Sequence, residues 1–94
     1  MMVPPRILPF SIPQRAAEVL ILLRCGRQRY RDLLSGRPNV VLARSLKWLA
    51  ARGLVDRMAS NDHARLRVEY ELTAKGKELL AAMEPVMEWQ RRWR

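Results

Sequence analysis

The side chains of this chain that can do chemistry are mostly cationic donors, and they are grouped. Arg27, Arg29, Arg31, Arg37, Arg44 and Lys47 share one stretch with a single acid, Asp32. His63, Arg65 and Arg67 form a second group. A guanidinium is a rigid fork of donors that matches a phosphate or the O6/N7 edge of guanine. A formal net charge of +9 on 94 residues directs such a surface to a polyanion, nucleic acid first and an anionic membrane second. Other chemistries lack their parts. One cysteine, Cys25, and one histidine, His63, cannot assemble a four-ligand zinc site. Paired carboxylates, a nucleophile–base pair and a glycine-rich phosphate loop are absent, so neither an enzyme nor a cofactor is expected. Cys25 is expected to be a small buried hydrophobe, and His63 a turn residue.

The elements that must carry these donors are written in local signals. Prolines 4, 5 and 9 make residues 1–12 an extended arm. Ser11-Ile12-Pro13-Gln14 has capping-box spacing, which predicts a helix to about Arg24, closed by Gly26. Residues 27–29 suit a small strand, and residues 30–35 one or two helical turns ended by Gly36. Arg37-Pro38-Asn39 is a helix start in which either Asn39 caps or Pro38 takes the first position. Leu42, Leu46 and Leu49 recur at helical spacing through residues 39–52, with Val40, Arg44, Lys47 and Ala51 opposite. Gly53 ends that helix and Leu54 packs back on it.

A strand over residues 55–60, a turn at 61–64 and an alternating strand follow. Leu66, Val68, Tyr70 and Leu72 face inward and Arg65, Arg67, Glu69 and Glu71 outward. Thr73 caps a final helix, which Pro85 should kink or split. The order helix-strand-helix-helix-strand-strand-helix is that of a winged helix-turn-helix: mainly α with a small β-hairpin, in one domain over residues 13–94. The helix at 39–52 suits the major groove, presenting Asn39, Val40, Ala43, Arg44 and Lys47. The wing, about 58–68, brings His63, Arg65 and Arg67 to flanking DNA. Arg29, Arg31 and Arg37 are candidates for phosphate contacts that set register.

Three segments resemble HxlR-type winged-helix transcriptional regulators. Gly26-Arg27-Gln28-Arg29-Tyr30-Arg31-Asp32-Leu33 is similar to their G-x-x-R-F-x-E-L segment. The stretch from Leu46 through Gly53-Leu54-Val55 to Arg57 is similar to L-x-x-L-x-x-x-G-L-V-x-R, a pattern shared with MarR and PadR relatives. Val68-Glu69-Tyr70-Glu71-Leu72-Thr73-Ala74-Lys75-Gly76 is similar to the more particular V-E-Y-x-L-T-x-x-G, and Trp89 matches a Trp near the end of the last helix. The resemblance implies homodimers that bind double-stranded DNA and regulate transcription, paired through their terminal helices. Two departures stand out: a shorter connection after Tyr30, and Arg37-Pro38-Asn39 in place of a small polar residue at the start of the recognition helix. The family's Cys-containing N-terminal segment is also missing, so thiol sensing does not carry over.

Met83, Val86, Met87, Trp89 and Trp93 are the candidate dimer contacts, with packing on the first helix as the alternative. The longest apolar run, residues 19–23, falls far short of the roughly 20 residues needed to cross a bilayer. With no secretion signal read at the start and one cysteine, a cytoplasmic protein is expected. Two other functions fit the same order of elements: a winged-helix protein–protein adaptor, and an architectural protein that binds DNA without sequence choice.

Overall fold

The computed structural model describes residues 12–93. Its elements are α1 (Gln14–Leu22), a 3₁₀ turn (Leu23–Cys25), β1 (Gln28–Arg29), α2 (Tyr30–Leu34), α3 (Asn39–Ala51), β2 (Val55–Asp62), β3 (Arg65–Leu72) and α4 (Ala74–Arg92). The predicted winged-helix order is therefore present. The small strand at 28–29 joins the hairpin, pairing Gln28 with Tyr70 and Arg29 with Glu69 in a sheet of order β1-β3-β2.

The core lies between α1, α3 and the base of the sheet. Leu42, Leu46 and Leu49 of α3 are all buried, as their spacing predicts, and meet Val19, Leu20 and Leu23 from the α1 side. Full burial of each Leu contributes about 1.5–3 kcal/mol. Ser45 shares the buried face because its hydroxyl returns to the Val41 carbonyl at 2.9 Å.

Several local expectations are corrected. Ser11, the predicted cap, lies outside the described residues, as does the arm up to residue 11; Pro13 itself is the N-cap of α1, with no side-chain cap. Ile12, assigned to the arm, packs half-buried against the core. Pro38 is the N-cap of α3 and Asn39 its first residue, the reverse of both alternatives. Cys25 is exposed, because Leu23 takes the inward position of the 3₁₀ turn. Pro85 does not split α4, which runs on to Arg92.

The hairpin is also tighter than its sequence suggests. The strands extend to residues 62 and 65, leaving His63 and Ala64 as a two-residue turn with φ of 50° and 66°. Both central residues are left-handed, the geometry that matches strand twist. Leu66, predicted inward, is 64% exposed. It stands on the same face as buried Tyr70 and Leu72 but lies beyond the helices, which cover only the base of the wing.

One joint fixes the hairpin against α3. After Arg52, Gly53 takes φ 70°, and the Gly53 and Leu54 amides return to the carbonyls of Ala50 and Leu49 at 3.0 Å each, a Schellman ending. Residues at the start of α4 take the carbonyls of Arg52, Gly53 and Leu54. Thr73 Oγ1 donates to Gly53 O at 2.6 Å, Thr73 N to Leu54 O at 3.1 Å and Lys75 Nζ to Arg52 O at 2.7 Å. The Thr73 hydroxyl also caps α4 by accepting from Gly76 N at 3.0 Å. Gly76 lies so close to this turn that a Cβ on it would stand 2.0 Å from the Leu54 carbonyl oxygen. Because that neighbour is backbone, Gly76→Ala should lower stability by about 2–3 kcal/mol, a fall in melting temperature of roughly 10 °C or more. Lys77→Ala, at the next and exposed position, should leave the melt unchanged.

Candidate nucleic-acid interface

The short α2 turns the chain so that Arg29 and Arg31 flank Tyr30 at the foot of the wing. Tyr30 is half-buried with its ring 6.5 Å from that of Tyr70. β1 pairs only with Tyr70 and Glu69, so the edge of β3 from Arg65 to Val68 stays open. Around that edge lies a depression of about 700 Å³ with Arg29, Arg31, Arg57, Arg65 and Arg67 on its walls and Tyr30 and Tyr70 among its lining. A second depression, of about 520 Å³, runs between α3 and the sheet, bordered by Ala43, Lys47, Ala50 and Ala51 of α3. Tyr30, Arg57 and Tyr70 line both, so the two adjoin as one concavity between α3 and the wing, arginine-rich at the wing and mostly apolar along α3, where Lys47 stands at its border.

Charge pairing separates this surface from the rest of the molecule. Arg15 pairs with Glu18, Arg24 with Glu84, Arg27 with Glu71 and Arg91 with Glu88. Arg52 stacks on Trp48, its Cζ 3.9 Å from the ring centre. The side chains of Arg29, Arg31, Arg44, Lys47, Arg57 and Arg65 have no ion pair or hydrogen bond among the described residues; those of Lys77 and Arg92, on α4, share that condition. Uncompensated cations on one concave face hold a positive potential that paired cations do not.

The predicted residues divide accordingly. Arg29, Arg31, Arg65, Arg67, Ala43 and Lys47 border the concavity. Val40 and Arg44 are exposed on the outer side of α3. His63 is exposed at the wing tip. Arg67 is restrained: its Nε is buried, 3.5 Å from Glu69 Oε1 but without a hydrogen bond. Arg37 is turned away, donating to the Leu33 carbonyl at 3.1 Å and lining a separate cleft with Arg15 and Glu18. Asn39 is exposed, and its Oδ1 accepts a hydrogen bond from Tyr30 Oη.

Arg57 is the functional candidate that the charge pattern missed. It follows a buried Val55 by two residues on a strand, and its register partner is Tyr70. Period two therefore places it on the covered face, where an arginine emerges only beside α3. That alternation was the available signal.

Two α4 candidates behave differently from the others. Met83 and Met87 pack half-buried against the chain's own core, while Val86, Trp89 and Trp93 are 58%, 56% and 71% exposed. These three fall at i, i+3 and i+7, one helical stripe.

The model of the HxlR-like helix-turn-helix family matches residues 15–94. The uncharacterized HTH-type transcriptional regulator YvaP of Bacillus subtilis (strain 168) is 32% identical over 80 residues, which span 82% of this chain and 73% of that protein. A MarR-family regulator from Enterococcus faecalis V583 has a similar solved structure, with TM-score 0.72 and 29% identity over 81% of this chain and 71% of its own. Another, from Porphyromonas gingivalis W83, has TM-score 0.75 at 22% identity, covering 84% and 79%; this last likeness speaks for the fold alone. Among the described residues no helix is long and apolar enough to cross a membrane.

Arg57→Ala and Arg15→Ala remove the same charge from different faces. On a heparin column Arg57→Ala should elute at clearly lower salt than the wild type, and Arg15→Ala close to it, with both melting as the wild type does. Equal shifts for the two would show that only net charge matters.

Proposed function

This chain belongs to the HxlR-like helix-turn-helix family of transcriptional regulators, and from that premise we propose that it binds double-stranded DNA sequence-specifically, as a homodimer, in the cytoplasm. The observation that carries the proposal is the gathering of uncompensated cations along α3 and the concavity it shares with the wing. α3 enters the major groove, with Arg44 and Asn39 reading base edges and Lys47 reaching a base or a phosphate. Arg29, Arg31, Arg57, Arg65 and Arg67 hold the backbone on either side, with His63 at the wing tip beside the flanking groove. Val40 and Ala43 offer apolar contact, which suits a thymine methyl. Arg37 contributes by closing α2 rather than by meeting DNA.

Selection of duplexes from a random pool tests the reading directly. An enriched pseudo-palindrome is expected, with half-sites about one helical turn, 34–36 Å, apart or a multiple of that. On the enriched site Arg44→Ala should cost about 1–3 kcal/mol and relax preference at one position, while Arg65→Ala should weaken all duplexes alike and reduce the salt slope by about 1. Equal affinity for enriched and scrambled duplexes would instead identify an architectural protein, and no binding at moderate salt an adaptor.

The homodimer is supported by the exposed stripe of Val86, Trp89 and Trp93, since large aromatics are concentrated at such interfaces. Met83 and Met87 supply its inner margin. In sedimentation the wild type should show twice the chain mass of 11.0 kDa. Trp89→Glu combined with Trp93→Glu should give the single-chain mass and weaken binding to the full palindrome. A wild type that sediments as one chain sinks the dimer.

A further inference from the structure

We infer that Leu66 is a wedge: on the bound duplex it enters the minor groove flanking the α3 site, parts one base step and kinks the DNA there. The inference rests on the DNA-binding reading above and deepens it, by naming the side chain through which flanking sequence counts.

Leu66 is 64% exposed, but it is not a stray apolar residue on open surface. It lines the wing-side depression together with Arg29, Arg31, Arg57, Arg65 and Arg67. A duplex drawn to those arginines must therefore cover it. A phosphate set against the leucine would lose water and gain no donor. The favoured register gives the phosphates to the arginines and the groove between them to Leu66. The hairpin is braced to press it there. Val68, two residues inward on the same face, packs against the core. Beyond Leu66 the ladder continues to the Asp62–Arg65 pair, closed by the two-residue turn. Asn61 lies directly opposite Leu66 in the ladder and is exposed, its amide making no hydrogen bond among the described residues. An apolar side chain and a free amide thus stand side by side on one face near the wing tip.

Each part has a task in a minor groove. The groove floor offers the acceptors adenine N3 and thymine O2, and the Asn61 amide can donate to them. A leucine set between base pairs replaces stacking with apolar contact, so burial of its exposed surface offsets part of the unstacking. That exchange costs least at a pyrimidine–purine step, which unstacks most readily, and most in a stiff A-tract. Preference of this kind is read from deformability, at a position that α3 does not touch.

The test uses duplexes that carry the site enriched from a random pool, with a donor and an acceptor dye at their ends, each saturated with full-length protein. The wild type is compared with Leu66→Ala, Leu66→Met and Asn61→Ala, all exposed changes that should leave the melting temperature in place. The wild type should bend the duplex by about 20° or more. Leu66→Ala should abolish most of that bend, while Leu66→Met, an apolar wedge of similar volume, and Asn61→Ala should keep it. Replacing a flanking pyrimidine–purine step by an A-tract should weaken wild-type binding about tenfold and Leu66→Ala hardly at all. A bend that Leu66→Ala retains, or that Leu66→Met loses, overturns the inference. So does a flank preference that survives in Leu66→Ala, or an Asn61→Ala that straightens the duplex as fully as Leu66→Ala. If the wild type enriches no duplex, the DNA-binding reading itself falls and takes this inference with it. A duplex that is bound and stays straight overturns the inference and spares that reading.

Discussion

The placement of every basic side chain on the wing descends from the polar joint at the end of α3. A helix ends with carbonyls that have no partner within it. Here Gly53 and Leu54 turn back to satisfy two of them, and Thr73 and Lys75 satisfy the next, from the start of α4. The Lys75 ammonium also suits the negative end of the α3 dipole. Between those two points the chain makes the whole hairpin, leaving at Val55 and returning at Leu72, which are paired with each other. The wing is therefore clamped at its root to the last turn of α3. Gly76 allows this, since any side chain there would displace the Leu54 carbonyl.

Given that clamp, electrostatics follows from which cations find carboxylates. Glu18, Glu84, Glu71 and Glu88 neutralise arginines away from the concave face. Such surface pairs contribute little stability. Their effect is on the shape of the field, because they leave the unpaired charge concentrated beside α3 and the open edge of β3. The same arginines guard that edge: an exposed strand edge invites another strand, and charged side chains are a standard deterrent. Arg67 shows the limit of the arrangement, since its pairing with Glu69 holds it partly buried.

Tyr30 and Tyr70 connect the joint to the face. Tyr70 is buried on β3 and sits opposite both Gln28 and Arg57. Its ring supports Tyr30, whose hydroxyl orients Asn39 at the start of α3. A side chain at the helix N-terminus is thus held by the sheet, so the angle between wing and helix and the orientation of Asn39 are linked through two aromatic rings.

Much of this was legible in the chain. Helical spacing of Leu42, Leu46 and Leu49, the Gly53-Leu54 stop, the Thr73 cap and the alternation through Leu72 are interactions among near neighbours, and near neighbours are what a sequence displays. From them the winged-helix order and the basic character of α3 and the wing follow. What they could not decide was exposure and partnership. Leu66 alternates correctly yet lies beyond the helices, Cys25 turns outward, and Arg37 closes α2 instead of joining the basic face, because burial depends on how far a neighbouring element reaches. Arg57 enters the concavity, and Tyr30 meets Asn39, only because sheet register and the α3–α4 joint bring distant segments together. Local physics determined which elements form and which residues each exposes to one side; the tertiary packing alone decided which of those sides face one another.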